Sequence, residues 1–369
     1  MKIEFIQYLP NNAWGGSELL WAAVAQRMAE TRHGVSAEVG SLARGHSEVR
    51  ALKERGAGVS LRPRWMDRTF PAERLRGWRA WRFSRSGADL LFVNLAMHGL
   101  GLELLEAVRG SGRPYVVLIQ SVNAAAWLTD GKTDRLRAVY KGAEAVFFVS
   151  EGNRQSAERM LADDLERAQV VGNLPGAREI EASPWPDESP EDVLRLAVVG
   201  RIEPVAKGHD LVLEVAEQPK WRERSVCFEI FGKGASEETF RRAVRRAGLG
   251  DRFNFHGYVD DREDVWRSCH ALLLPSRYEG SPLVMAEAML SARPVVATAI
   301  SGCAEWIEPG ENGFLAESPC QDALDRALEA CWERRDRLRE MGASARAKAL
   351  KRIPRDPTEE MIELLEQSI

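Results

Sequence analysis

An α/β fold built from two doubly wound halves is predicted by three observations. Short apolar runs alternate with stretches of helical periodicity from end to end, the pattern of parallel strands joined by crossover helices. A segment rich in Pro and acids, GAREIEASPWPDESPED at 176–192, interrupts that alternation and reads as a linker. At 369 residues the chain exceeds the size at which one hydrophobic core keeps growing. The expected division is an N-terminal domain over 1–175, the linker 176–192, a C-terminal domain over 193–352, and a last segment, 353–369, that carries a helix.

Composition fits a globular protein, 44% hydrophobic and 29% charged. The five Cys (Cys227, Cys269, Cys303, Cys320, Cys331) are odd in number and lack metal-ligand spacing, as in a reduced interior. The opening MKIEFIQYL alternates like a strand and lacks the plan of a leader. No apolar run approaches the ~18 residues of a membrane span, so a cytoplasmic location is expected. Residues 1–180 hold 25 Lys and Arg against 20 Asp and Glu, and the remainder 26 against 35, for a net charge of −4. The first half could therefore favour an acidic partner, or simply vary as surfaces do.

The first strand, residues 2–9, runs through the loop PNNAWGGSE into a helix from Leu19 to Glu30. Gly15-Gly16 there permits either close backbone approach to a ligand or a tight strand-to-helix turn, and Ser17 or a neighbour can cap the helix. HGVSAEVGSL reads as the second strand, which makes a β-α-β start. Further along, ADLLFVNLAM, RPYVVLIQSV, EAVFFVS and AQVVGNLPG read as strands, with helices over about 101–109, within TDRLRAVYKGA, and before AQVVGNLPG. Ligands bind at the carboxyl ends of such strands, which marks Asn94–His98, Gln120–Asn123 and Ser150-Glu151. His98 is there either a ligand contact or an ordinary loop residue.

Residues 62–85 carry eight Arg (62, 64, 68, 74, 76, 79, 82, 85) against Asp67 and Glu73, interleaved with Trp65, Phe70, Trp78, Trp81 and Phe83. Trp78, Trp81 and Arg74 share a helical face. That pattern suits an amphipathic segment on an anionic membrane surface, or a basic groove for a phosphorylated acceptor. It equally suits a surface helix with its Trp packed inward and its Arg solvated. Nucleic acid is not the expected partner.

After the linker the alternation restarts with LRLAVVG, a helix from about Gly208, SVCFEIFG, a helix from about Glu237, RFNFHGYV, and a helix near Asp261–Cys269. Then comes ALLLPSRYEGSPLVMAEAML at 271–290. Ala271 to Leu274 reads as a buried strand. Ser281 is placed to cap a helix that starts at Pro282, leaving the N–H groups near Leu283 and Val284 free to face an anion. Glu279 precedes that point, and Glu287 lies within the helix, roughly 7–8 Å along its axis. RPVVATAI forms the next strand, and a short amphipathic helix runs from Thr358 to Ile369.

Arg201 follows the strand ending at Gly200, and Lys207 stands in the next loop, two cations suited to a diphosphate. FGKGAS is not a Walker phosphate loop, because the required first Gly falls at Cys227. No G-x-G-x-x-G, H-E-x-x-H, D-x-D or G-x-S-x-G pattern occurs, so nicotinamide chemistry, a metal centre and a hydrolase elbow have no support.

GRIEPVAKG, FGKG, FHGYV, LPSRYEGSPLVMAEAM and RPVVATAISGCAEWIEPGENGFL occur in the order and spacing of a known family. The chain resembles the retaining, nucleotide-sugar-dependent glycosyltransferases of group 1 (family 4), in which two facing Rossmann-like domains form the GT-B fold around a deep interdomain cleft. Glu279 and Glu287 match its E-x7-E motif. The resemblance is dense over the second half and thinner over the first, where it rests on GGSE and overall order. It implies that Arg201 and Lys207 bind the donor diphosphate, that Glu279 meets the sugar hydroxyls, and that Glu287 accepts from the ribose. It further implies that Gly280, Ser281, Pro282, Leu283 and Val284 hold phosphate or sugar through the backbone. Gly232, Lys233, Tyr258 and Val259 would flank the base, Gly15 and Gly16 would approach the diphosphate, and Glu305 would be either a cap or a ligand. The final helix would return to the first domain. After YVVLI the chain departs from the family: Gln120-Ser121 stands where a His is frequent, which removes one hydrogen-bond partner for the sugar.

The resulting expectation is a metal-independent hexosyltransferase without a resident cofactor, using a UDP-sugar or GDP-sugar as co-substrate. The acceptor hydroxyl would belong to a glycan, a lipid-linked molecule or another compound, with His98, Gln120 and Ser121 as contacts to acceptor or sugar. A peripheral position on the inner face of the membrane through residues 62–85 is a further expectation. The alternatives are a nucleotide-sugar epimerase or hydrolase, a non-catalytic nucleotide-sugar-binding protein, and a membrane-surface protein.

Overall fold

Ile3, Phe5 and Ile6 are buried on both faces of the first strand, and the same holds along most of the strands that follow. Continuous apolar runs of this kind belong to parallel sheets covered by helices on both sides. The computed structural model describes residues 1–9, 14–31, 33–63, 72–173 and 179–368, with the backbone alone for 72–75. The chain divides into two units, Met1–Pro175 with Arg355–Ile369, and Gly176–Pro354.

The first unit runs β1 (Lys2–Tyr8), α1 (Leu19–Ala29), β2 (Gly34–Gly40), α2 (Ser47–Glu54), β3 (Gly58–Arg62), α3 (Ala72–Ser84), β4 (Leu90–Leu95), α4 (Leu102–Gly110), β5 (Tyr115–Ile119), α5 (Asp130–Lys141), β6 (Ala145–Phe148), α6 (Glu151–Leu161) and β7 (Ala168–Val170). Its strands pair in the order β3-β2-β1-β4-β5-β6-β7, every described pair parallel. Phe5 sits opposite Ala37 on one side and Phe92 on the other.

The second unit runs β8 (Leu194–Val199), α7 (Pro204–Lys207), α8 (His209–Ala216), α9 (Pro219–Glu223), β9 (Val226–Phe231), α10 (Glu237–Arg246), β10 (Phe253–Gly257), α11 (Arg262–Ser268), β11 (Ala271–Leu274), α12 (Leu283–Leu290), β12 (Val295–Thr298), β13 (Gly313–Ala316), α13 (Gln321–Glu333) and α14 (Leu338–Arg352). Its order is β10-β9-β8-β11-β12-β13, again parallel. Each sheet reverses direction beside its first strand, so the loops after β1 and β4, and after β8 and β11, meet at a topological switch point.

The last helix, α15 (Pro357–Gln367), belongs to the first unit. Met361, Ile362 and Leu365 share a core with Leu20, Trp21 and Phe5. Asp356 caps the helix through the N–H groups of Thr358 and Glu359 and pairs with Arg27 at 2.5 Å.

Two expectations are corrected. The stretch 176–192 does not hang free: its described part is strapped to the second unit. Buried Arg293 donates to the carbonyls of Ser183 and Pro184 as well as to Trp266, Cys269 and Ser291. Burial pushes that guanidinium down to about 10. His270 donates to the Glu188 carbonyl at 2.8 Å, and Arg346 to that of Ile180 at 3.0 Å. Pro and acidic content is common to straps and linkers, and Arg293 decides between them.

The second correction concerns 62–85. Arg64, Trp65, Asp67, Arg68 and Phe70, and the side chains of Glu73 and Arg74, lie outside the described residues. On the rest of α3 the alternative with Trp packed inward and Arg solvated does not hold. Trp78 and Trp81 are 46% and 54% exposed, while Arg79 is buried. Arg82 bonds Glu4 at 2.9 Å and Glu38 at 2.5 Å, Arg62 bonds Glu38 at 3.2 Å, and Arg76 bonds Glu106 at 3.0 Å. These arginines are held by carboxylates from β1, β2 and α4, and Arg85 lies over the Trp81 ring. The helix is pinned inward by charge and shows indole to the outside.

Candidate functional site

The second unit's switch point is laced together by glycine backbone. Gly232 N–H donates to the Gly257 carbonyl at 2.6 Å, Gly200 N–H to Phe231 at 2.9 Å, and Ile202 N–H to Lys233 at 3.1 Å. A Cβ on Gly232 would stand 2.0 Å from the Gly200 carbonyl oxygen, and one on Gly234 2.2 Å from that of Ile202. The loops after β8, β9 and β10 therefore touch through main chain alone. Lys233 and Tyr258 are exposed at their rim, with Val259 half-buried.

Lys207 ends the short turn α7, and left-handed Gly208 closes it. Its ammonium lies 2.5 Å from Glu279 Oε1, which also accepts from Ser276 Oγ at 2.7 Å. Arg277 fixes the two loops to each other. Its N–H donates to the Ala206 carbonyl at 2.8 Å, and its guanidinium bonds the Pro204 carbonyl and both oxygens of Asp210. Sequence reasoning missed Arg277, Asp210 and Ser276; a basic residue inside LPSRYEG was visible, its partner was not. Arg201 is more exposed and pairs with Glu203 at 3.1 Å.

Helix α12 starts one residue later than expected. Pro282 is its N-cap, at φ −68° and ψ 114°, and no side chain caps it, so Ser281 does not play that part. Leu283 and Val284 open the helix, and their N–H groups have no acceptor among the described residues. The Gly280 carbonyl accepts from Gly302 at 3.2 Å, which fixes the approach. Glu287, further along α12, is largely buried with Arg262 at 4.0 Å, and burial raises its carboxyl above the ordinary value. Glu305 pairs with Arg352.

At the first unit's switch point, Gly15 is extended at φ −161°, a conformation open to any residue, and a Cβ there would meet Glu18 Oε2 at 3.5 Å and Ser17 Oγ at 4.0 Å. Gly16 begins a 3-10 turn to Glu18. Ser17 does not cap α1; its hydroxyl bonds the wholly buried Glu18 at 2.7 Å. Glu18 also accepts from Asn94 at 3.4 Å, and Asn94 Oδ1 from Gln120 Nε2 at 2.9 Å. The Gly-Gly turn and the ends of β4 and β5 thus share one buried network. Ser121 Oγ bonds the Ala96 carbonyl at 2.7 Å, and His98 N–H bonds that of Ser121 at 2.8 Å. The His98 ring meets the Tyr140 hydroxyl at 3.3 Å through Nδ1, while its buried Nε2 has no partner among the described residues.

Burial alone lowers His98 to about 4, and burial with the Lys207 charge lowers His209 to about 4. Both folded values lie below the ordinary 6.5, so the unfolded chain binds more protons between those limits. Stability is expected to be full above about pH 6.5 and to fall as pH drops toward 4. Urea midpoints at pH 7, 6 and 5 should decrease in that order; equal midpoints would mean the imidazoles are not buried neutral.

Among the described residues no group of three or more His, Cys, Asp or Glu is placed to hold a metal. No described helix is long and apolar enough to cross a membrane.

Residues 194–334 match the family model of group 1 glycosyl transferases. A poly(ribitol-phosphate) alpha-N-acetylglucosaminyltransferase of Staphylococcus aureus (strain COL) is 32% identical over 136 residues, 36% of this chain and 28% of that protein. A D-inositol 3-phosphate glycosyltransferase of Streptomyces griseus is 31% identical over 170 residues, 43% of this chain and 36% of that one. The chain thus spans about a third of the length of these curated relatives. The Anabaena protein Alr3699/HepE, solved with UDP, shares the fold over 100% of both chains at a TM-score of 0.76 and 19% identity. TarM of S. aureus, solved with Fondaparinux, alpha-GlcNAc-glycerol and UDP, does so over 100% and 99% at 0.67 and 14%. The match to the group 1 glycosyl transferase model is confined to residues 194–334, and the whole length of the chain has the GT-B fold.

Proposed function

We propose that the protein is a retaining, metal-independent hexosyltransferase. It moves a sugar from a nucleoside-diphosphate sugar to a hydroxyl of a glycan, lipid-linked or other acceptor, in glycan or glycolipid biosynthesis. The observation that carries this reading is the Lys207–Glu279 pair at the switch point of a matched family domain, with the free N–H groups opening α12 in the same segment as Glu279. A cation and a bare helix start suit a diphosphate, and a carboxylate beside them suits sugar hydroxyls. Lys207 and Arg201 stabilise the departing diphosphate, Glu279 orients the sugar, and Glu287 accepts from the ribose. Gly232, Lys233, Tyr258 and Val259 flank the base. In the first unit, His98, Gln120 and Ser121 stand on the side expected to take the acceptor. With no nucleophile–base pair at Glu279, the leaving phosphate oxygen takes the acceptor proton on the same face, and configuration is retained. A UDP-sugar is the first choice of donor, because the structural neighbour was solved with UDP and with UDP-glucose; GDP-sugars come second.

A thermal-shift series with UDP, GDP and their sugars tests the binding half of this reading. A ligand at 100 times its Kd adds about 2.7 kcal/mol of stability. One nucleotide series should raise the melting temperature; a flat response to all of them contradicts the reading.

The outward Trp78 and Trp81 favour a second, compatible reading, a peripheral position on an anionic membrane, since indoles settle at the headgroup level. Flotation with phosphatidylglycerol vesicles should carry the wild type upward, and the double change W78A/W81A should reduce the bound fraction severalfold. Equal flotation of both proteins would contradict that placement.

A further inference from the structure

We infer that Glu279 makes the site prefer an intact nucleoside-diphosphate sugar over the free nucleoside diphosphate, because its carboxylate competes with the diphosphate for Lys207 whenever no sugar is present. The inference rests on the donor reading above and adds to it a device for product release.

The Lys207 ammonium is already committed, 2.5 Å from Glu279 Oε1, with side chains only 22% and 11% exposed. The carboxylate is not free to swing away. Ser276 Oγ donates to the same oxygen, the Ser276 carbonyl is held by Thr298 Oγ1 at 2.5 Å, and the next peptide is tied to Ala206. On its other side Gly280 is held by Gly302. Of the other cations, Arg277 is engaged with Asp210 and Arg352 with Glu305, while exposed Arg201, paired with Glu203 at the surface, remains the diphosphate's second cation in the donor reading. Cys303, buried beside the pair, stays a neutral thiol because burial raises it well above its ordinary value.

A diphosphate that reaches Lys207 therefore brings its negative charge against a fixed carboxylate in a partly buried place, where like charges repel strongly. An attached sugar changes the balance. Its hydroxyls donate to Glu279, so the carboxylate gains hydrogen bonds in exchange for releasing the ammonium to the phosphate. Once the sugar has left, Glu279 takes Lys207 back and the diphosphate loses the more buried of its two cations. Product is expelled by the group that held the sugar.

Calorimetric titration of the full chain with UDP and with UDP-glucose tests this, using GDP and GDP-mannose if the wild type ignores UDP. Glu279→Gln keeps the shape and removes the charge. It should tighten UDP by about tenfold, one unit charge in a half-buried site, and reverse the preference for the sugar-bearing ligand. Glu279→Ala, which removes the same charge with a different shape, should move UDP affinity in the same direction. Lys207→Ala should weaken UDP. Unchanged or weaker UDP binding in both Glu279 variants, with a wild type that binds UDP, overturns the inference and leaves the donor reading standing. A wild type that binds no nucleoside diphosphate and no nucleotide sugar overturns the donor reading itself.

Discussion

Replacing Lys207 by Ala is expected to cut turnover by about two orders of magnitude or more. The lysine's partner in the structure is Glu279, and in the proposed reaction its partner becomes the diphosphate whose negative charge grows as the glycosidic bond breaks. A positioned cation in a partly closed site is worth roughly 3–4 kcal/mol in such a transition state. Glu279→Ala should cost a similar factor, because the sugar loses its orienting acceptor. The two losses should not add fully, since the paired side chains are neighbours acting on one transition state. Single-turnover rates of both single variants and the double variant measure this. Near-normal rates in both single variants would remove these residues from the reaction.

Gly208→Ala is expected to be among the most damaging small substitutions in the second unit. Gly208 has φ +67°, where a Cβ costs roughly 1–2 kcal/mol. A Cβ there would also lie 2.0 Å from the Pro275 carbonyl oxygen, a backbone atom that cannot rotate away. The loop carrying Lys207 must shift, and the contacts of Arg277 with Pro204 and Asp210 shift with it. Loss of more than about 2 kcal/mol in stability is expected, with weakened nucleotide binding in whatever fraction folds. Gly15→Ala makes a fair contrast, because its extended backbone and ordinary 3.5 Å contact predict a change within about 0.5 kcal/mol. Urea unfolding of both variants compares the two; equal midpoints would contradict the close approach at Gly208.

The strands of both sheets were legible because β4, β5, β11 and β12 are apolar on both faces and bounded by turn residues. Glu279, Lys207 and the start of α12 were legible because strand, loop and helix follow one another without interruption. What was not legible depends on partners distant in sequence. The orientation of α3 is set by Glu4, Glu38 and Glu106, which no local pattern links to Arg82 or Arg76. The strap at 179–192 is set by Arg293, about a hundred residues away. β3 and β13 are short and begin at Gly, so they carry too little periodicity to announce themselves. Ser281 looked like a cap by residue type, but Pro282 takes that position with its own extended backbone. Gln120 was visible only as a departure from the family; its bond to Asn94, and through Asn94 to Glu18, shows it built into the first unit's interior.

Product analysis tests the central claim most directly. Wild type and Lys207→Ala, incubated with the nucleotide sugar that shifts the melting temperature most and with a pool of hydroxyl acceptors, are followed by mass spectrometry. The account predicts equal amounts of free nucleoside diphosphate and a new glycoside from the wild type, with the anomeric configuration of the donor, and a yield lower by about a hundredfold from the variant. Free sugar or an epimerised nucleotide sugar in place of a glycoside, or equal yields from both proteins, would contradict it.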